Sequence, residues 1–139
     1  MNAAILTNEF PPEIYGGAGI HVKFLTQELS KLCHIEARCF GSQDVDEDNV
    51  RAIGFSRKLG LDPADDRFQK IFKPLDINLQ WAATLKDIDV IHCHTWYSHF
   101  GGVLASRLLQ CPLILTTLSL EPHRPWKAEQ LGDGGYAMS

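Results

Sequence analysis

The chain reads as an α/β protein, a doubly wound parallel sheet with helices on both faces. Three observations predict it. Short apolar runs of strand length recur at residues 3–7, 35–40, 89–94 and 113–117. Amphipathic segments of helical period lie between them. Pro/Gly/Asp-rich breaks are short, which suits right-handed crossovers between parallel strands.

The first run, AAILT at 3–7, is too short for a helix and apolar on both faces, as a central parallel strand must be. It breaks at Pro11-Pro12 and passes through Gly16, Gly17 and Gly19 into a helix predicted over 19–33. There Ile20, Phe24, Leu25, Leu29 and Leu32 recur at helical spacing. A strand, a glycine-rich turn and a helix start bring bare N–H groups to one place, where an anion or a sugar can meet them. GGAG after a long proline-bearing loop is not the G-x-G-x-x-G dinucleotide fingerprint. A turn that simply needs glycine would leave the same trace.

The alternating run at 35–40 is a second strand. The acidic stretch SQDVDEDN at 42–49 is expected to be a solvated surface turn. Residues 50–74 are least legible: a short strand near 50–55, then irregular structure. Asp76 is expected to N-cap a helix carrying Ile77, Leu79, Trp81, Ala82 and Leu85, ended by 87–89. DVIHCH at 89–94 is a strand with Val90 and Ile91 buried. The next helix starts at Ser98 or Phe100 and runs to Gln110, with Val103, Leu104, Leu108 and Leu109 inward. A strand at 113–117 follows, then a short helix at 125–131 with proline first.

With 139 residues, 45% of them hydrophobic, the chain suits one compact domain. A net charge of −4 favours neither nucleic acid nor an anionic membrane as partner. No apolar run approaches the roughly 20 residues needed to span a bilayer. The N-terminus lacks the marks of a signal peptide, so a cytoplasmic location is expected. Cys33, Cys39, Cys93 and Cys111 form no C-x-x-C pair and read as small buried hydrophobes in a reducing compartment.

Ligands of such sheets sit outside the C-terminal strand edge. Here those ends carry most of the unusual polar and aromatic residues. His92 and His94 would share one strand face, a spacing zinc can use, but no third ligand follows at a telling distance, so no metal is expected. His94 at the strand tip as a hydrogen-bonding group, beside Trp96 as a flat apolar wall, suits carbohydrate better. Trp96 and Tyr97 as ordinary core residues at a helix start are the plainer alternative. Beyond Thr117, Ser119 and Glu121 offer acceptors for sugar hydroxyls, and Arg124 or Lys127 could meet a phosphate. A capped helix with a surface ion pair gives the same residues. No self-contained catalytic set is present.

Three segments carry a resemblance: ILTNEFPPEIYGGAGIHVKFLTQEL, DVIHCHTWYSHFGGVLA and PLILTTLSLEPHRPWKAEQLGDGGYAMS. Together they resemble bacterial glycogen synthases, retaining glycosyltransferases of the two-domain GT-B fold. Within these, the most similar subgroup uses a nucleotide-glucose to extend glucan or to make maltose 1-phosphate. The match covers almost the whole chain, thinnest at 42–74, and EPHRPWKAEQLG is its most specific part. The resemblance implies that residues 1–139 are a single Rossmann-like, acceptor-side domain. A C-terminal domain, absent from this sequence, would hold most of the donor. It implies ADP-glucose as donor, an α-glucan or small sugar as acceptor, and no cofactor. Gly16 and Gly17 would approach the donor diphosphate and transferred glucose. His94, Thr95 and Trp96 would face the cleft, and Glu121, Arg124, Trp126 and Lys127 would shape the acceptor side. No catalytic residue set is complete in this chain, which is expected to be inactive alone.

Two departures stand out. Relatives usually read T-T-H-S-L-E-P where this chain has Leu118, and the missing histidine is expected to contact the transferred sugar. LGDGGY carries one residue more than the usual L-G-G-G-Y. A transferase of another sugar, or a degenerate paralogue that only binds sugar or a partner, remain the competing readings.

Overall fold

The computed structural model describes residues 1–118 together with Trp126 and Glu129. Six strands form one sheet: β1 (Asn2–Leu6), β2 (His34–Phe40), β3 (Asp44–Glu47), β4 (Val50–Phe55), β5 (Val90–His94) and β6 (Leu113–Thr116). Their spatial order is β3-β4-β2-β1-β5-β6. Every pairing is parallel except β3 with β4. The helices are α1 (Gly17–Leu29), α2 (Gln69–Thr84) and α3 (Trp96–Leu109). The chain winds from β1 toward β2 and β4, then returns to add β5 and β6 on the other side. The order in which strands are added therefore reverses between β1 and β5, and such a switch point opens a crevice at the C-terminal strand ends.

Alternation along β1 divides the core in two. Ala3 and Ile5 join Phe10, Val22, Ile35, Ala37, Cys39 and Ala52 under α1. Ala4 and Leu6 join Ile77, Trp81, Ile91, Cys93 and Ala105 under α2 and α3. Trp81 is fully buried, with Phe40 at 5.5 Å and Phe55 edge-on at 6.3 Å between ring centroids. Burial of the Cys39 and Cys93 thiols pushes each up to about 12, so neither is a reactive thiolate.

The expected surface turn at 42–49 is instead largely strand. β3 pairs antiparallel with β4 through the two-residue turn Asp48-Asn49, both at positive φ (48° and 67°). That is the backbone a tight hairpin demands. β3 was hidden because, as a sheet edge, it carries Asp44, Asp46 and Glu47 where an inner strand carries apolar residues.

Asp76 is not the N-cap of its helix. α2 begins seven residues earlier, at Gln69, and continues through Pro74. Asp76 is buried in mid-helix. Its carboxylate accepts the N–H groups of Lys58 (3.1 Å) and Leu59 (2.9 Å) and the Gln80 amide (2.7 Å). These bonds hold its pKa below the ordinary value despite burial. It anchors the connection from β4 rather than starting a helix.

The helices also turn faces other than those expected. Leu104 and Leu109 of α3 pack on the core, but Val103 is 43% and Leu108 69% exposed. Ser98, Gly101, Gly102 and Ala105 take the buried face. A Cβ on Gly102 would lie 2.1 Å from Cys93 Sγ, so α3 rests closer to β5 than any larger residue permits. In α1 the buried residues are Gly19, Val22 and Thr26, while Ile20 and Phe24 are over half exposed. Val90 is only partly buried, whereas Ile91 is fully so.

Gly102→Ala should destabilise the protein by about 2 kcal/mol through overpacking. Cys93→Ala in the same chain should recover part of that loss by vacating the sulfur's place. Urea unfolding of the two single variants and the double variant checks the coupling.

Candidate functional site

Thr95 ties the tips of three neighbouring strands, β1, β5 and β6, together. Its N–H donates to the Thr116 carbonyl at the end of β6 (3.1 Å), and its hydroxyl donates to Asn8 Oδ1 just past β1 (3.0 Å). It caps α3 with φ 67° and ψ 157°. A β-branched residue rarely holds such a backbone, and strain of this kind gathers at functional sites.

Below it, β5 presents His92 and His94 toward α1, opposite to Ile91 and Cys93. His92 Nε2 meets Thr116 Oγ1 at 2.7 Å. The His94 ring lies 4.1 Å from that of His92 and 5.4 Å from that of His21 on α1. His94 is fully buried, and neither ring nitrogen has a protein partner. Burial first, then His92, His21 and His99, lowers its pKa to about 3. His94 is therefore a neutral imidazole at ordinary pH, able to donate or accept a hydrogen bond but not to carry charge. Among the described residues, no three of His, Cys, Asp or Glu are disposed to hold a metal.

The third wall is the loop from β1 into α1. Gly16 precedes the helix in extended conformation, and Gly17 is its first residue. A side chain at either would meet nothing within 4 Å, so both faces are open. The N–H groups of α1's first turn have no acceptor within the helix, which favours an anion there. Sequence reasoning missed Glu9, whose Oε2 accepts the N–H groups of Tyr15 (3.0 Å) and Gly16 (2.9 Å). The signal was a carboxylate directly after an apolar strand and ahead of the glycines. His21 was also missed, since on a helical wheel it is only one more polar residue.

Gly16, Gly17, His94 and Thr95 thus belong to loops and strand ends at one sheet edge. Trp96 is placed differently. It stacks on Tyr97 (ring centroids 4.1 Å apart) and lines a hollow of about 90 Å³ between α2 and α3, with Ile71, Pro74, Asn78 and Phe100. That hollow, room for about three waters, does not include His94. Leu118 is 42% exposed just past β6. Trp126 is 65% exposed; Ser119, Glu121, Arg124 and Lys127, the rest of 125–131 apart from Glu129, and the LGDGGY insertion lie outside the described residues. No described helix is long and apolar enough to cross a membrane.

The family model for Glycosyltransferase Family 4 matches residues 15–138. The chain is 43% identical over all 139 residues to the α-maltose-1-phosphate synthase of Mycolicibacterium smegmatis. It is 41% identical over the same length to that of Mycobacterium tuberculosis. It spans 33% of the length of each. Sucrose-phosphate synthase from Thermosynechococcus elongatus has the same fold, with a TM-score of 0.64 at 16% identity, over 99% of this chain and 38% of that one.

Acid should destabilise the chain through His94. Unfolded, it takes a proton near 6.5; folded, only near 3. Between those values the unfolded chain binds more protons, so stability falls as pH falls, by at most about 1.4 kcal/mol per pH unit for this group. His92 and His99, also lowered, act in the same direction. Urea unfolding from pH 7 to pH 4 should show the slope, and His94→Leu should make it shallower.

Proposed function

Because this chain belongs to glycosyltransferase family 4, we propose that it is the acceptor-side part of a retaining glucosyltransferase. The transferase moves glucose from ADP-glucose to glucose 1-phosphate, forming maltose 1-phosphate. One observation carries this reading: identity above 40% to two α-maltose-1-phosphate synthases runs over all 139 residues. The site chemistry is compatible with it. Open glycine faces at the start of α1 admit a phosphate-bearing ligand. A neutral buried imidazole and threonine hydroxyls suit sugar hydroxyls, which are read by directed hydrogen bonds. Elongation of an α-glucan from the same donor is the second reading, favoured by the resemblance to glycogen synthases.

In this proposal residues 1–139 form one domain, and the donor's nucleotide is held mainly by the remaining two thirds that the relatives possess. The chain alone should then transfer no glucose. Joined to the C-terminal two thirds of the M. smegmatis relative, it should form maltose 1-phosphate from ADP-glucose and glucose 1-phosphate. Product appearing only on glycogen would move the assignment to the glucan reading. Transfer by the 139-residue chain itself would overturn the division of labour.

Leu118 offers no hydrogen bond where relatives are expected to present histidine to the transferred sugar. One such bond is worth roughly 1–3 kcal/mol. Leu118→His in the joined protein should therefore raise kcat about ten- to a hundredfold, as measured by release of ADP.

A further inference from the structure

The glycines of the loop have different neighbours. Gly16 and Gly17 face open space, but a Cβ on Gly19 would lie 2.8 Å from Glu9 Oε2 and 2.9 Å from Ile14 Cγ2. Gly19 is small because Glu9 sits against it. Glu9 is only 9% exposed. Its N–H donates to Thr7 Oγ1 (3.3 Å), and its carbonyl accepts from the same hydroxyl (3.1 Å). The next residue is held as well: the Phe10 carbonyl accepts from the buried Gln43 amide (3.1 Å). The carboxylate thus rests on a fixed base and grips the far end of the loop through Tyr15 and Gly16. Hydrogen bonds to an ionised acceptor are roughly twice as strong as neutral ones.

We infer that Glu9 is a positioning residue: by taking the N–H groups of Tyr15 and Gly16, it sets the glycine loop in the open-faced shape that a phosphate-bearing ligand meets. The inference deepens the proposed function and rests on that reading for the ligand alone. The inward donors, Tyr15 and Gly16, are used by the protein itself. The donors left for an anion are those of Gly17, Ala18 and Gly19 in the first turn of α1, before Ile20 N–H bonds the Gly16 carbonyl (3.3 Å). Gly16 then serves by its open face, not by its N–H.

The test uses the 139-residue chain and its Glu9→Gln and Glu9→Ala variants, followed by backbone amide NMR with inorganic pyrophosphate as probe. Three results are expected. The Tyr15 and Gly16 amides of the unaltered chain, bonded to Glu9 Oε2, are protected from hydrogen exchange, and Glu9→Ala removes that protection. Pyrophosphate moves the Gly17 and Ala18 amides more than that of Gly16. Glu9→Gln, which keeps an acceptor oxygen, binds pyrophosphate within about threefold of the unaltered chain, whereas Glu9→Ala binds at least about tenfold more weakly, a difference of about 1.4 kcal/mol. Equal or tighter binding by Glu9→Ala would overturn the inference, the tighter case making Glu9 a competitor of the ligand. If pyrophosphate moves no loop amide in the unaltered chain, the phosphate-facing reading of the loop fails instead. The exchange protection of the Tyr15 and Gly16 amides then still decides whether Glu9 holds the loop.

Discussion

β1 pairs in parallel with β2 on one side and β5 on the other, and its residues Ala3–Leu6 are at most 6% exposed. Its alternate side chains enter both halves of the core, Ala3 and Ile5 on one side and Ala4 and Leu6 on the other. Because hydrogen bonding fixes β1 on both edges and packing fixes it on both faces, its register sets where every neighbouring tip ends. Ile5 lies beside Ala37 and His92, and Leu6 beside Cys93. The crevice between the ends of β1 and β5 follows from that pairing. A one-residue slip of β1 would turn Ile5 and Leu6 to the wrong halves of the core.

Polar groups at that edge are set by a framework that itself carries cost. His94 is buried without a protein partner, and an unpaired buried polar group is worth about 1–3 kcal/mol against folding. Thr95 holds a backbone seldom adopted by threonine. Both are offset by contacts that bear no ligand. Asp76 gathers three hydrogen bonds from the β4–α2 connection and α2 itself. Asn78 joins α2 to α3 by accepting the Gly101 N–H (2.6 Å) and donating to the Tyr97 carbonyl (2.7 Å). That clamp fixes the start of α3, and with it Thr95.

Glycine works in this protein mainly by letting elements approach. Gly102 brings α3 onto Cys93, and Gly19 admits the Glu9 carboxylate beneath α1. The two helices that flank the crevice are therefore seated closely, one from each side of the sheet. Gly16 and Gly17 differ in kind, since nothing in the protein fills the space above them. Within GGAG, the first two glycines face outward and the last faces inward.

Local periodicity in the sequence was enough for the alternation of strands and helices, the parallel sheet and the edge at which polar residues gather. Those features depend on repeats of two and of about 3.6 residues, which any short window contains. The position of β4 was legible for the same reason, and the Asp48-Asn49 turn could have been read as a hairpin signal. What faces what was not legible. In α1 the stripe of Ile20 and Phe24 and the stripe of Val22 and Thr26 both satisfy helical spacing, and only the seat opposite chooses between them. Asp76 looks like a cap until the chain around Lys58 and Leu59 folds over it, and Glu9 looks like a surface acid until Tyr15 and Gly16 return to it. Trp96 and His94, two residues apart, are parted because the strand ends between them and the helix begins on the other side of the sheet. Tertiary structure decided these points because each depends on groups that meet only once the chain has closed.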